Sequence, residues 1–115
     1  MEGTFHPVEQ AEFYSKDEDR VRYEYLASRW ALKEAMVKAT GRTDLEYKGI
    51  YLKKPKNELE QEGQTVLRKL RPVVDVSGER NLMIFKELNV VAIHSSISHE
   101  QDYAVAFVTL ETEIL

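Results

Sequence analysis

Residues 29–38, Arg-Trp-Ala-Leu-Lys-Glu-Ala-Met-Val-Lys, combine charges that could do chemistry on an otherwise largely apolar segment. Glu34 and Lys38 are four residues apart, so on a helix they lie one turn apart on the same face. Arg29 and Lys33 have the same spacing but like charges, which gives the helix no stabilisation. Such a helix is suited to hold a metal ion beside a phosphate. Glu34 would bind a hard cation such as Mg²⁺, and Lys38 would neutralise a phosphate oxygen.

The alternative for Glu34 and Lys38 is an ordinary ion pair on a helix surface, worth a few tenths of a kcal/mol. The chain would then be a structural α+β protein. In that case a Glu34→Gln substitution would leave every activity unchanged.

A second candidate segment is Ser-Ile-Ser-His at residues 96–99. Ser96, Ser98 and His99 could together offer hydrogen-bond donors to an anion. His99 with Asp102 or Glu100 could imitate part of a hydrolase triad. However, the sequence contains no Gly-x-Ser-x-Gly turn for a nucleophilic serine, which disfavours serine hydrolysis.

The composition predicts one soluble domain and excludes several chemistries. The chain has 115 residues and a formal net charge of −4, so it has no global attraction to nucleic acid or to anionic membranes. The absence of cysteine excludes disulfides, thiolate metal sites and cysteine nucleophiles. No apolar run is long enough to span a bilayer. The middle of the chain is basic and is either a solvated loop face or a contact for a phosphate or an acidic protein. The residues of this basic middle are Lys53, Lys54, Lys56, Arg68, Lys69 and Arg71.

The elements that must position these residues follow from periodicity and from proline and glycine signals. Pro7 predicts a short helix to about Tyr14, and apolar spacings predict a long helix over residues 20–40 that ends at Gly41. We expect its apolar contributors to include Tyr23, Trp30 and Met36. Helices precede most strands, which predicts an α+β fold. The remaining predictions are strands at 46–52, 71–76, 90–97 and 103–110, a helix at 79–88, a charged loop at 53–64 and a hairpin turn at 99–102.

With these residues in place, the chain resembles the holo-acyl-carrier-protein synthase family of 4′-phosphopantetheinyl transferases. The family's helix motif, Arg-Phe/Trp-Ala-x-Lys-Glu-Ala-x-x-Lys-Ala, is matched by residues 29–39. Its Ser-x-Ser-His segment followed by an Ala-x-Ala strand is matched by residues 96–106, and its Pro-x-x-x-x-Ser-Gly stretch by residues 72–78. The resemblance implies a single domain over residues 1–115, with the long central helix packed on a small, mainly antiparallel sheet.

The resemblance also implies the activity, which is Mg²⁺-dependent transfer of 4′-phosphopantetheine from coenzyme A to a serine of apo-acyl-carrier protein, in fatty acid biosynthesis. Glu34 would bind the metal and Lys38 the pyrophosphate, both as catalytic residues. Arg29 and Lys33 would contact the phosphates of coenzyme A or support the site. Ser98 and His99 would approach the nucleotide end.

Further expectations from the resemblance concern assembly and completeness. Members of this short type generally form trimers with coenzyme A between subunits, which implies a homotrimer here. We expect the compartment to be the cytoplasm or the mitochondrial matrix. Lys16, Arg20 and Arg22 would meet the acidic carrier protein. The family's opening Gly-x-Asp strand, whose aspartate is the second metal carboxylate, is not found here. That departure leaves open an inactive or truncated member acting only as a carrier-binding module.

Overall fold

Two antiparallel helices form the first half of the protein. The computed structural model describes residues 3–53, 73–99 and 103–113 of the chain. Helix α1, Pro7–Tyr14, begins at a proline, whose missing amide hydrogen is not needed in a first turn. Helix α2, Asp19–Thr40, ends at Gly41, whose φ of 68° is the left-handed conformation that glycine adopts without a steric penalty. Both helices are confirmed close to the predicted bounds.

The strands of the described residues form two antiparallel pairs. Strand β1, Ile50–Lys53, pairs with β2, Val73–Val76. Helix α3, Glu79–Glu87, follows, and leads into the hairpin of β3, Val90–His99, and β4, Ala104–Thr112. Helix α2 lies mainly against β4. The α+β fold, with a long central helix on small antiparallel sheets, is therefore confirmed.

The core lies between α2, the sheets and α3. Leu32 and Met36 of α2 are fully buried, and Ile50 of β1 packs with them. Strand β4 alternates half-buried and exposed residues, as expected for a sheet with one covered face. The rest of the buried cluster is Leu45, Val74, Ile84 and Phe85.

The buried face of α2 agrees with the predicted one at Met36, which is fully buried, but differs at two aromatic residues. Tyr23 is 69% exposed and Trp30 is 43% exposed. The buried residues of the helix are Tyr25, Ser28, Leu32, Lys33 and Met36. Two polar residues belong to this stripe, which is why hydrophobicity alone placed the face incorrectly.

Other predictions need correction in detail. The strand predicted from residue 46 begins only at Ile50, because Tyr47–Gly49 forms a 3-10 turn. Buried Asn81 fixes this turn by bonding both the amide and the carbonyl of Glu46 at 2.8 Å. His99 was predicted in a hairpin turn but is the last residue of β3. Some predictions fall on residues outside the described ranges. These are most of the charged loop and of the basic middle, Pro72, and residues 100–102 of the hairpin turn.

Candidate active site

Glu34 and Lys38 lie one turn apart on α2, as their spacing predicts. Glu34 is half-buried and Lys38 is exposed. No ion pair joins the two side chains, and in the described residues no hydrogen bond engages the Glu34 carboxylate. The structure therefore does not support the simple surface ion pair.

Lys33 has an environment that its neighbours do not share. Its side chain is fully buried, and Nζ donates to Glu9 Oε1 at 2.7 Å and to the Tyr47 carbonyl at 2.7 Å. The third donor goes to the carbonyl of Ile50. An ammonium has three donors, so none remains for a phosphate. The structure does not support the predicted contact with coenzyme A and instead favours the supporting role.

The partner of Lys33 is Glu9, a residue that sequence reasoning did not place in the site. Glu9 is 1% exposed, and its Oε1 also accepts the backbone N–H of His6 at 2.9 Å. Burial raises the pKa of Glu9 and lowers the pKa of Lys33, while their mutual hydrogen bond opposes both shifts. The His6-Pro-Val-Glu9 spacing, that of a capping box, is the sequence signal that could have identified this carboxylate.

Arg29 also turns toward α1. Its guanidinium carbon lies 4.6 Å from the centre of the Tyr25 ring, a cation–π distance. Nη1 donates to Ser28 Oγ at 3.2 Å, and Nη2 lies 3.9 Å from Glu12 Oε2. The side chain is partly exposed, so a phosphate could still reach it.

Ser98 and His99 occupy successive positions in β3. Ser98 pairs with Val105, and His99 pairs with Ala104. Successive side chains of a strand point to opposite faces of the sheet, so the two residues cannot contact one ligand from the same face. Ser96 shares the face of Ser98, where nearby His94 is hydrogen bonded to Glu111. The three predicted anion donors are therefore split between two faces.

The basic residues predicted to meet a carrier protein lie where α1 turns into α2. Arg20 is exposed and is 3.8 Å from Glu24. Arg22 donates to the Lys16 carbonyl at 2.8 Å and lies over the Phe13 ring, and the Lys16 ammonium lies over Tyr25. Of the three, Arg20 is the least engaged with the protein.

Within residues 3–53, 73–99 and 103–113, no three acidic, histidine or cysteine side chains cluster as a metal site. Glu34, half-buried on α2, is the carboxylate at the predicted position. In the same ranges, no helix has the length and hydrophobicity needed to cross a membrane.

Comparison with known proteins decides the family. Residues 1–108 match the model of the 4′-phosphopantetheinyl transferase superfamily. The chain belongs to this superfamily. Two curated relatives, both holo-acyl-carrier-protein synthases, support the assignment. That of Halothermothrix orenii is 38% identical over 77% of this chain and 62% of its own length. That of Mycolicibacterium paratuberculosis is 34% identical over 95% of this chain and 77% of its own length.

Solved structures of the superfamily share the fold of this member. An ACPS–coenzyme A complex from Chronobacterium ammoniagenes has a TM-score of 0.74 and 26% identity, covering 98% of this chain and 81% of that one. Holo-acyl-carrier-protein synthase from Helicobacter pylori, solved with coenzyme A, has a TM-score of 0.66 over 96% of this chain and 79% of that one, at 24% identity. The resemblance drawn from residues 29–39 and 96–106 is thus confirmed at the level of family and fold.

Proposed function

We propose that this protein is a holo-acyl-carrier-protein synthase, which transfers 4′-phosphopantetheine from coenzyme A to a serine of apo-acyl-carrier protein. The observation that carries the proposal is the 34% identity over 95% of the chain to a relative with that name. The ACPS–coenzyme A complex with a TM-score of 0.74 supports coenzyme A as the donor.

The reaction is a displacement at phosphorus. The serine oxygen of the carrier forms a bond to the β-phosphorus of coenzyme A, and the bond from that phosphorus to the bridging oxygen breaks. Adenosine 3′,5′-bisphosphate leaves, and the hydroxyl proton is released. The protein needs no nucleophile of its own, so positioning and charge neutralisation account for its catalysis.

Glu34 and Lys38 are the proposed catalytic residues. Mg²⁺ suits this position, because it binds through one or two carboxylates together with substrate phosphates and keeps several waters. Glu34, with a carboxylate unengaged in the described residues, would hold it; when bound, the ion would offset charge on the pyrophosphate. Lys38 would place its exposed ammonium against a phosphate oxygen, where it stabilises negative charge as the bridging bond breaks.

Three other predicted residues are proposed to act around the donor. The partly exposed Arg29 guanidinium would contact a phosphate of coenzyme A. Ser98 and His99 would approach its nucleotide end. Because these two side chains leave opposite faces of the hairpin, we propose that they serve different ligand groups or different subunits.

The assembly is proposed to be a homotrimer in which coenzyme A lies between subunits. Val105 and Phe107 are exposed on the outer face of β4, the latter at 68%, and Tyr103, just before the strand, is exposed as well. A row of exposed apolar side chains is typical of a protein interface. Self-association through the hairpin would cover this row.

The partner protein is proposed to be an acidic acyl-carrier protein in the cytoplasm. The named curated relatives are bacterial, which gives no support to the mitochondrial alternative. Lys16, Arg20 and Arg22 offer a local basic face on a chain whose net charge is −4. Local complementarity of this kind guides association.

Intact mass spectrometry of apo-acyl-carrier protein tests the function. The carrier is incubated with this protein, coenzyme A and Mg²⁺, and parallel samples omit coenzyme A or contain a chelator. We expect the carrier to gain the mass of one phosphopantetheine group only in the complete reaction. A carrier of unchanged mass would refute the proposed activity.

A further inference from the structure

The buried ion pair between Glu9 and Lys33 joins several segments at one point in α2. Lys33 Nζ contacts Glu9 Oε1 at 2.7 Å and the Tyr47 carbonyl at 2.7 Å, and it also bonds the Ile50 carbonyl. Helix α1, the 3-10 turn and strand β1 are therefore all attached to one ammonium. Neither the proposed reaction nor the proposed interface uses this group directly.

The pair lies at one end of a series of contacts between the two helices. Glu9 meets Lys33 and Glu12 approaches Arg29 at 3.9 Å, while Phe13 meets Arg22. As the residue number increases along α1, the number of its contact partner on α2 decreases, so the two helices are antiparallel. The Glu9–Lys33 pair alone in this series is fully buried, and of these contacts it is the one farthest along α2 from the turn between the helices.

Stability alone is a weak explanation for this pair. Desolvation of two charges often cancels their attraction, and apolar residues of similar volume can stabilise a core as well or better. Glu9 Oε2 is, moreover, buried, and no hydrogen-bond partner for it lies in the part of the chain that the structure describes. What the pair supplies is orientation, because three fixed acceptors determine where the ammonium lies. Lys33 directly precedes Glu34, so fixing Lys33 fixes the turn from which Glu34 projects.

We propose that Glu9 and Lys33 are positioning residues of the transferase, whose ion pair orients the Glu34 turn of α2 for binding of coenzyme A with Mg²⁺. The inference rests on the proposed function and adds two residues to its site. Groups that orient a metal ligand change metal affinity or activity about 10- to 100-fold when they are replaced.

Calorimetric titration of coenzyme A in the presence of Mg²⁺ tests the inference on the Glu9→Gln/Lys33→Met double variant. This variant removes both charges at similar volume, so no uncompensated charge remains buried. Titration reports the number of competent sites separately from Kd. A merely structural role would lower the number of sites and leave Kd unchanged. We expect Kd for coenzyme A to rise about tenfold or more.

Arg42→Gln is the control, since it removes the exposed pairs with Asp44 and Glu87 and should leave Kd unchanged. A wild-type Kd in the double variant would overturn the inference. If that variant does not fold, Lys33→Arg is titrated instead, because a guanidinium keeps the charge but not the compact ammonium geometry; an unchanged Kd there would overturn it equally. Wild-type protein that transfers no phosphopantetheine and binds no coenzyme A would overturn the proposed function, and the inference with it.

Discussion

The imidazole of His6 lies flat on the phenol ring of Tyr51, with ring centres 3.8 Å apart and planes 14° from parallel. The same imidazole caps α1, because Nδ1 accepts the N–H of Val8 at 3.1 Å. Tyr51 in turn donates its hydroxyl hydrogen to Asp75 at 2.7 Å. One histidine thus connects the start of α1 to both strands of the first sheet. Its hydrogen bond to Val8 requires that Nδ1 carry no proton.

Acid should therefore weaken the fold through His6. Burial, followed by the charge of Lys33, holds the pKa of His6 below its ordinary value of 6.5. The group contributes stability that is fully present above pH 6.5, and this stability is lost as pH falls through the lower pKa of the folded state. Urea unfolding between pH 7.5 and 5 should show a steeper loss of stability in wild type than in His6→Asn, since asparagine caps helices without titrating. Identical pH profiles of the two proteins would contradict this role.

Gly49 should not tolerate a side chain. An added Cβ would lie 2.2 Å from the Ser77 carbonyl oxygen and 2.6 Å from Asn81 Nδ2. Because one of these atoms is backbone, Gly49→Ala should destabilise the protein by about 1–3 kcal/mol. Gly3→Ala is the control, as no atom of residues 3–53, 73–99 or 103–113 lies within 4 Å of its Cβ position. Equal thermal midpoints for the two variants would show that the turn rearranges at no cost.

The outer face of the β3–β4 hairpin should control assembly. Phe107 is 68% exposed, and burial of such an aromatic ring between subunits would favour association. We expect Phe107→Asp to sediment as a monomer where wild type sediments as a trimer. Tyr23→Asp replaces an aromatic side chain that is 69% exposed on α2 and should leave the assembly intact. A Phe107→Asp trimer would place the interface elsewhere.

Arg20 should contribute to recognition of the carrier protein. Its side chain is 67% exposed at the start of α2, and it pairs only loosely with Glu24. Arg20→Glu should raise KM for the acidic carrier about fivefold, mostly at low salt, with KM for coenzyme A unchanged. Arg80→Glu has a 61% exposed side chain on α3 and is the matched control. If both variants raise KM equally, the effect is one of net charge and not of a docking surface.

The helix ends could be read from the sequence because local chemistry determines them. Pro7 and Gly41 act within one turn of their own positions, and both ends agree with the structure. The hairpin of β3 and β4 was likewise recognisable from two apolar segments that are close in sequence. The 3-10 turn before β1 was not, because it depends on Asn81, a partner 35 residues away from Glu46.

The candidate site was partly predictable for the same reason. The helical repeat places Glu34 and Lys38 together wherever the helix forms. The burial of Lys33 depends on Glu9, which lies 24 residues earlier in the chain, and local spacing carries no information about that contact. That Ser98 and His99 lie on opposite faces could be recognised only once β3 was known to extend to His99. Neighbouring side chains alternate between faces in a strand but not in a turn.

The central claim is that Glu34 of α2 is a catalytic residue of the transferase. The most direct test compares wild type with Glu34→Gln and measures release of adenosine 3′,5′-bisphosphate. Each reaction contains apo-acyl-carrier protein, coenzyme A and Mg²⁺. Loss of the proposed metal-binding carboxylate should lower kcat about 100-fold or more, because charge on the pyrophosphate is then poorly neutralised. Glu79→Gln, an exposed carboxylate on α3, is the control and should keep the wild-type rate. A Glu34→Gln variant as fast as this control would contradict the assignment of the site to α2.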